Sequence, residues 1–331
     1  MQLEEDRDGV FARILNPSAR PPSTKHQRLI DKAKQVPAVT TVVVYPCDDT
    51  SLRSATEAAA VGIITPILVG PAERISSLAQ EHGIEIGGFQ IIDVANSDGA
   101  AAKSVELIRG GKGDLLMKGS LHTDELMREV TAGSTGLRTA RRISHVFVMD
   151  VPNYSETLFI TDAVINIFPD LEAKRDIVQN AIGFFTQAGL GTPRVALLSA
   201  AETVTTKIPS TIEAAALCKM ADRGQITGGL LDGPLAIDSA IDAEAAEIKG
   251  INSPVAGRAQ ILVVPDLEAG NMLVKNLIFL AKADAAGIVL GARVPIILTS
   301  RADSVHARMA SCAVAVLCAK VLRRRLALHE V

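Results

Sequence analysis

The chain of 331 residues exceeds the size at which a single hydrophobic core usually stops growing, so about two domains are expected. Its 48% hydrophobic content, with 3% aromatics and no Trp, describes a core of Ala, Val, Ile and Leu and excludes disorder over most of the length. A net charge of −3 excludes a broad attraction for nucleic acid or anionic membranes and leaves small molecules and proteins as partners.

The opening MQLEEDRDGV is acidic where a signal peptide would be basic and then apolar. No uninterrupted apolar run approaches the roughly 18 residues that span a bilayer, and a cytoplasmic protein is expected. Residues 1–23 carry breakers such as NPSARPPST without a stable period and read as a flexible leader. Short β-rich runs follow: TVVVYP (41–46), PILVG (66–70), QIIDV (90–94), LLMKG (115–119) and HVFVMD (145–150). Ala-rich, charged segments follow the first four, which is the alternation of βαβ units and a parallel sheet.

A second series comprises LFITD (158–162), RVALLS (194–199), QITGGLL (225–231), ILVVPD (261–266), GIVLG (287–291) and PIILTS (295–300). A closing helix is expected from about Asp303 to Leu328, with Arg323, Arg324 and Arg325 on a solvated face near its C-terminal dipole. Cys47, Cys218, Cys312 and Cys318 are too scattered for a metal knuckle or a CxxC pair and read as structural thiols. Cys47 alone stands directly after a strand.

Ligands of open α/β sheets gather at the carboxyl ends of strands. Five such ends carry chemistry-bearing side chains in place of simple turn residues. LLMKG leads through Lys118 into Ser120, His122 and Thr123; HVFVMD, headed by Ser144, leads into VPNY; LFITD leads into AVIN; ILVVPD leads into LEAGNMLVK; PIILTS leads into RADS. Their convergence on one site is the expectation. Arg301 falls between a buried strand and a helix N-terminus, where guanidinium and dipole together would hold a phosphate. Asp303 and Ser304 suit N-caps of the last helix, and His122 and His145 suit structural histidines beside strands, with no carboxylate spacing for a metal site. GxGxxG after the first strand, GxxxxGK[ST] and GxSxG are all missing, which removes the dinucleotide fingerprint, the P-loop and the nucleophile elbow.

SPVAGRAQILVVPDLEAGN (253–271) with Lys275 after it, LTSRADS (298–304), MKGSLHTDELMR (117–128), GLRTARRISHV (136–146) and TDAVINIFPD (161–170) resemble the phosphate acetyltransferase/phosphate butyryltransferase family. The likeness runs from about residue 25 to the C-terminus and is nearest to the transferase portion of bifunctional enoyl-CoA hydratase/phosphate acetyltransferase proteins. It implies an α/β, two-domain isocitrate-dehydrogenase-like fold with mostly parallel sheets flanked by helices and the active site in the cleft. Domain I would take 24–150 plus 295–331 and domain II 151–294, the latter making a homodimer. The implied reaction is reversible transfer of an acyl group between CoA and phosphate. CoA and acyl-CoA are its substrates, and no cofactor is bound permanently.

By the same resemblance Ser300 stands near the CoA sulfur and Arg301 on the phosphate side. Arg128 meets the phosphate or acyl phosphate, and Asp162, Asn166, Asn271 and Lys275 line the cleft. Arg138 and Arg141 suit either the CoA phosphates or a solvated surface. Ala307 occupies the place of an aspartate that serves as base in the acetyl branch, and TSRADS with GLRT leans toward the butyryl branch. Asp303 or His306 would be substitutes for that base. The absent aspartate also motivates an alternative reading, a CoA-binding protein with little catalysis that supports a separate hydratase. A dehydrogenase on a related fold lacks its carboxylate metal cluster and its cofactor fingerprint.

Overall fold

The computed structural model describes residues 24–298 and 305–329, the last ten of these through their backbone alone. The elements in order are α1 (Thr24–Lys34), β1 (Val39–Val44), α2 (Asp49–Ala60), β2 (Ile64–Gly70), α3 (Ala72–Glu81), β3 (Gln90–Asp93), α4 (Ser97–Arg109), β4 (Leu115–Lys118) and α5 (Thr123–Thr131). They continue through β5 (Ser144–Asp150), β6 (Leu158–Thr161), α6 (Leu171–Gln187), β7 (Arg194–Leu198), α7 (Pro209–Asp222), β8 (Leu230–Leu235), α8 (Ile237–Ile241) and α9 (Ala243–Ile248). The last are β9 (Ile261–Val263), α10 (Leu267–Phe279), β10 (Asp284–Leu290), β11 (Ile296–Ile297) and α11 (Val305–His329). Short acidic or amide side chains start many of the helices: Asp48 accepts from the Ser51 N–H at 2.7 Å, Asn96 from Gly99 at 2.8 Å, and Asp266 from Ala269 at 2.9 Å. No helix of the described residues is long and apolar enough to cross a membrane.

All eleven strands form one sheet in the order β3-β2-β1-β4-β11-β10-β5-β6-β9-β7-β8. The outer strands on each side pair in parallel, as the βαβ alternation predicts. The middle differs: β10 runs antiparallel to both β11 and β5, and β5 antiparallel to β6. The run 225–231 is not the strand expected there, because Gly228 turns at φ 86 and β8 begins only at Leu230. β8 is an edge strand, which lets Pro234 sit inside it.

Register makes the reversal functional. One row crosses the sheet as Leu68–Val43–Met117–Ile297–Ile288–Val146–Thr161–Val263–Leu197. β4 reaches this row from one side and ends a residue beyond it at Lys118; β6 reaches it from the other side and ends on it at Thr161. The carboxyl ends of both parallel halves therefore meet along a common band. They leave it in opposite directions.

Alternation along the strands sorts the core into two faces. One face carries a continuous cluster from Val43 and Met117 through Val146 and Ile288 to Phe159 and Val263, covered in part by α1, α2, α6, α7 and α11. On the other face the core is split. Val42, Val44 and Leu116 pack with α4 and α5, while Met149, Ile160 and Leu262 pack with α10 and its neighbours. His145, Phe147 and Gly287 lie on this face, at the seam between the two clusters.

Candidate active site

At the exits of β1 and β4 the chain surrounds a cavity of about 380 Å³ lined by Tyr45, Cys47, Asp48, Thr50, Arg74 and Ser120. Two features press the exits together. The Gly119 N–H donates to the Val44 carbonyl at 2.9 Å, and a Cβ at Gly119 would run into the Val44 and Tyr45 carbonyl oxygens. Ser120 Oγ donates to the Tyr45 carbonyl at 2.9 Å and accepts from the Cys47 N–H at 3.2 Å. Tyr45 sits at φ 53, a left-handed conformation that a tyrosine adopts only under constraint from its surroundings. Arg74, from the first turn of α3, donates to Tyr45 Oη at 3.2 Å and lies 5.8 Å from the ring centre.

Lys118 is buried at the end of β4, its Nζ 3.3 Å from the Gly119 carbonyl. The His122 N–H donates to Glu125 at 2.7 Å and caps α5, and Thr123 opens that helix at the surface. Arg128 is 63% exposed and pairs with Asp98 at 2.6 Å. Thr50, on the cavity wall, accepts from Arg308 at 3.2 Å, which ties the first turn of α11 to the cavity rim. Ser300, Arg301, Asp303 and Ser304 lie outside the described residues.

The exit of β6 is built differently. Asp162 is 3% exposed and its carboxylate accepts from the N–H groups of Val164 at 2.9 Å, Ile165 at 3.0 Å and Asn166 at 3.3 Å, and from Asn166 Nδ2 at 2.6 Å. Burial raises its pKa, and the donors from Val164 and Ile165 pull the other way. Asn166 also donates to the Ile143 carbonyl at 2.9 Å and accepts from Arg142 Nε at 2.8 Å. Asn180 donates to the Arg142 carbonyl and to Ser144 Oγ, each at 2.9 Å. Ser144, Asp162 and Asn166 thus belong to one buried network, which Asn271 joins by donating to the Ala163 carbonyl at 3.3 Å. Lys275 is exposed one helical turn further along α10. Arg138 is exposed and bridges to Ala292 through its backbone, while Arg141 lines a second cavity of about 410 Å³ between α6 and the β10–β11 turn.

The expected single convergence is therefore two groupings. Lys118 and Ser120 share the β1–β4 exit, and Ser144, Asp162, Asn166 and Asn271 share the β6 exit. Three intervening strands make four steps of roughly 4.8 Å between Met117 and Thr161, about 19 Å. The sequence reading passed over Tyr45, Arg74, Arg142 and Asn180. Tyr45 had a signal, a tyrosine at a strand end before Pro46; Arg74 had none, since only the β1–β2 pairing brings α3 to the β1 exit.

Residues 99–316 match the family model for phosphate acetyl/butaryl transferase. The chain belongs to this family. It is 70% identical over 304 residues to a phosphate acetyltransferase of Rhizobium meliloti, covering 92% of this chain and 96% of the relative. To a phosphate butyryltransferase of Clostridium acetobutylicum it is 40% identical over 288 residues, covering 87% and 95%. Among solved structures, a branched-chain phosphotransacylase from Enterococcus faecalis V583 superposes with a TM-score of 0.74 at 28% identity, covering 85% of this chain and 99% of that one. These identities run against the lean toward the butyryl branch. TSRADS and GLRT are short stretches, whereas whole-chain identity weighs the strands and helices around them.

Proposed function

We propose that this phosphate acetyl/butaryl transferase family member moves an acetyl or short-chain acyl group reversibly between CoA and inorganic phosphate: acyl-CoA + phosphate = acyl phosphate + CoA. The observation that carries this reading is the 70% identity to a phosphate acetyltransferase over nearly the whole of both chains. The strand-end geometry supports it. A phosphate oxygen attacks the thioester carbonyl carbon, the C=O electron pair moves onto oxygen, and collapse of the tetrahedral oxyanion breaks the C–S bond and releases CoA thiolate.

In this reading Arg301 and Arg128 neutralise the phosphate, and Ser300 donates to the sulfur or the oxyanion. Lys118, Ser120, His122 and Thr123 border the same exit, while Asp162, Asn166, Asn271, Lys275, Ser144 and Arg138 form the opposite wall. CoA, with its extended pantetheine arm, suits a cleft whose two walls stand apart along the sheet. Ala307 is buried in α11 and offers no base. A nearby arginine and a helix N-terminus lower a thiol's pKa, and this stabilises the thiolate in place of proton abstraction; Asp303 and His306 are the candidates for a direct base.

Division into domain I, 24–150 plus 295–331, and domain II, 151–294, in an isocitrate-dehydrogenase-like arrangement belongs to the same reading, in which β10 of domain II would lie in the sheet between β11 and β5 of domain I. Domain II also supports a homodimer. It exposes Met272 and Phe279 on α10, with Phe168 77% and Leu280 79% exposed beside them, an apolar surface of the kind that copies of a chain cover. The deciding experiment measures CoA release from acetyl-, propionyl- and butyryl-CoA with and without phosphate, on wild type and Arg301→Ala. Phosphate-dependent release lost in the variant is expected. Bound CoA without release in wild type would replace the enzyme with a CoA-binding protein.

A further inference from the structure

The cavity of about 410 Å³ between α6 and the β10–β11 turn takes no part in the steps above, yet it is equipped to hold a solute. Its volume falls within the roughly 300–1,000 Å³ of small-molecule sites. Thr139, Arg141 and Thr186 stand exposed on its lining, so it is reached from solvent. Ile182, Leu290 and Pro295 supply apolar wall. On this stretch α6 carries Gly183, where a Cβ would meet nothing nearer than Gln187 Nε2 at 3.8 Å. A side chain there has open room.

Two features set the chemistry. Asn180, on the cavity lining, is 8% exposed; both of its N–H groups are committed, to the Arg142 carbonyl and to Ser144 Oγ, while its Oδ1 accepts from nothing among the described residues. The guanidinium of Arg141 has no partner among them either, and the same holds for Arg138 and Arg293. The backbone gathers these three around one turn: Arg138 bridges to Ala292 on the lining, and the Arg293 N–H donates to the Leu137 carbonyl at 2.8 Å. Asp176, a carboxylate beside Arg142, is occupied by the Arg142 N–H at 2.9 Å and by Arg175 at 3.1 Å. We propose that this cavity binds a nucleoside polyphosphate, with its phosphates on Arg141, Arg138 and Arg293, its base against the apolar wall, and a donor of base or ribose given to Asn180 Oδ1. An amide oxygen only accepts, so the ligand carries N–H or O–H; guanidiniums only donate and stay charged, so it also carries anionic oxygens. Three neighbouring arginines are best repaid by several phosphate oxygens at once. Inorganic phosphates would leave Asn180 and the apolar wall unused, and an uncharged nucleoside would leave the arginines unused. A free nucleotide and the nucleotide end of CoA present the same chemistry.

Binding is read without turnover, so failure of this inference is distinct from failure of the transferase reading. Calorimetric titration of the full chain with ADP, free of CoA and acyl donors, is expected to show saturable binding with a Kd below about 1 mM, and inorganic pyrophosphate to bind at least about tenfold more weakly. Arg141→Ala is expected to weaken ADP by about tenfold, the loss of one charge-assisted contact. Gly183→Leu, which fills the cavity and keeps the arginines, is expected to bring ADP down to the level of pyrophosphate with the unfolding midpoint held. Absence of ADP binding in wild type, equal affinity for ADP and pyrophosphate, or unchanged ADP affinity in a folded Gly183→Leu overturns the site. Should the leucine variant fail to fold, Arg141→Ala, at an exposed position, decides: unchanged ADP affinity there overturns the site as well. Titration of wild type and Gly183→Leu with CoA separates the two sources. A CoA affinity lowered by the substitution assigns the cavity to the nucleotide end of CoA, and an unchanged one assigns it to a free nucleotide.

Discussion

The exits of β4 and β6 flank the same row of the sheet, yet they are made of different material. At β4 the chain opens a cavity walled by hydroxyls and an exposed guanidinium, and its hydrogen bonds join the β1 exit to α3 and to the first turn of α11. At β6 a buried carboxylate gathers four donors and an asparagine ties it to the segment before β5. The difference teaches that, in the cleft proposed above, one wall would be open to a ligand while the other is fixed in advance by its buried network. Sites commonly combine the two, since reactive groups must be held in place and substrates must enter.

The contrast can be broken most severely at the fixed wall. Asp162→Ala leaves Asn166 Nδ2 and three N–H groups short of an acceptor in a buried place, and is expected to cost about 3 kcal/mol in urea unfolding at pH 7. A loss below about 1 kcal/mol would show that the network is decoration. Acid sharpens the same side. His145 in the folded chain titrates near 3 where the unfolded chain titrates near 6.5, so its contribution is complete above pH 6.5 and declines as the pH falls from there toward 3. His26 is also held below its usual pKa, mainly by burial, and works in the same direction. Each such histidine gives a slope of up to about 1.4 kcal/mol per pH unit. Unfolding midpoints between pH 7.5 and 5 should fall more shallowly in His145→Leu, and an unchanged slope sinks the account.

The open wall should respond weakly in stability and strongly in binding. Ser120→Ala removes the bond to the Tyr45 carbonyl and the acceptor for Cys47, at an expected cost of about 1 kcal/mol. Arg128→Ala breaks an exposed pair with Asp98, which should change stability by less than about 1 kcal/mol. The same substitution should raise the KM for phosphate or CoA by about tenfold, the equivalent of one charge-assisted contact. If stability and KM both stayed at wild-type values, Arg128 would be a surface residue.

Much of this was legible in the sequence. Strand runs such as TVVVYP and LLMKG mark buried parallel strands because their apolar residues are continuous. Strand direction in the middle of the sheet was not written into those runs. The connections held the missing clue: only a few residues separate β5 from β6 and β10 from β11, too few for a parallel crossover. Lys118 and Asp162 could be found because polar side chains ending apolar strands violate the pattern around them. Asn180 could not, since an asparagine within a helix looks like a solvated position until the fold turns it toward Ser144.

The position of β11 bears on how the chain comes to be folded at all. This two-residue strand fills the slot between β4 and β10, and α11 packs across α1, α2 and β10. Both follow all the other strands in chain order. Without β11 the sheet would be two half-sheets with unsealed inner borders, open to pairing with neighbouring polypeptides, so two residues keep a long pair of edges from becoming a route to aggregation.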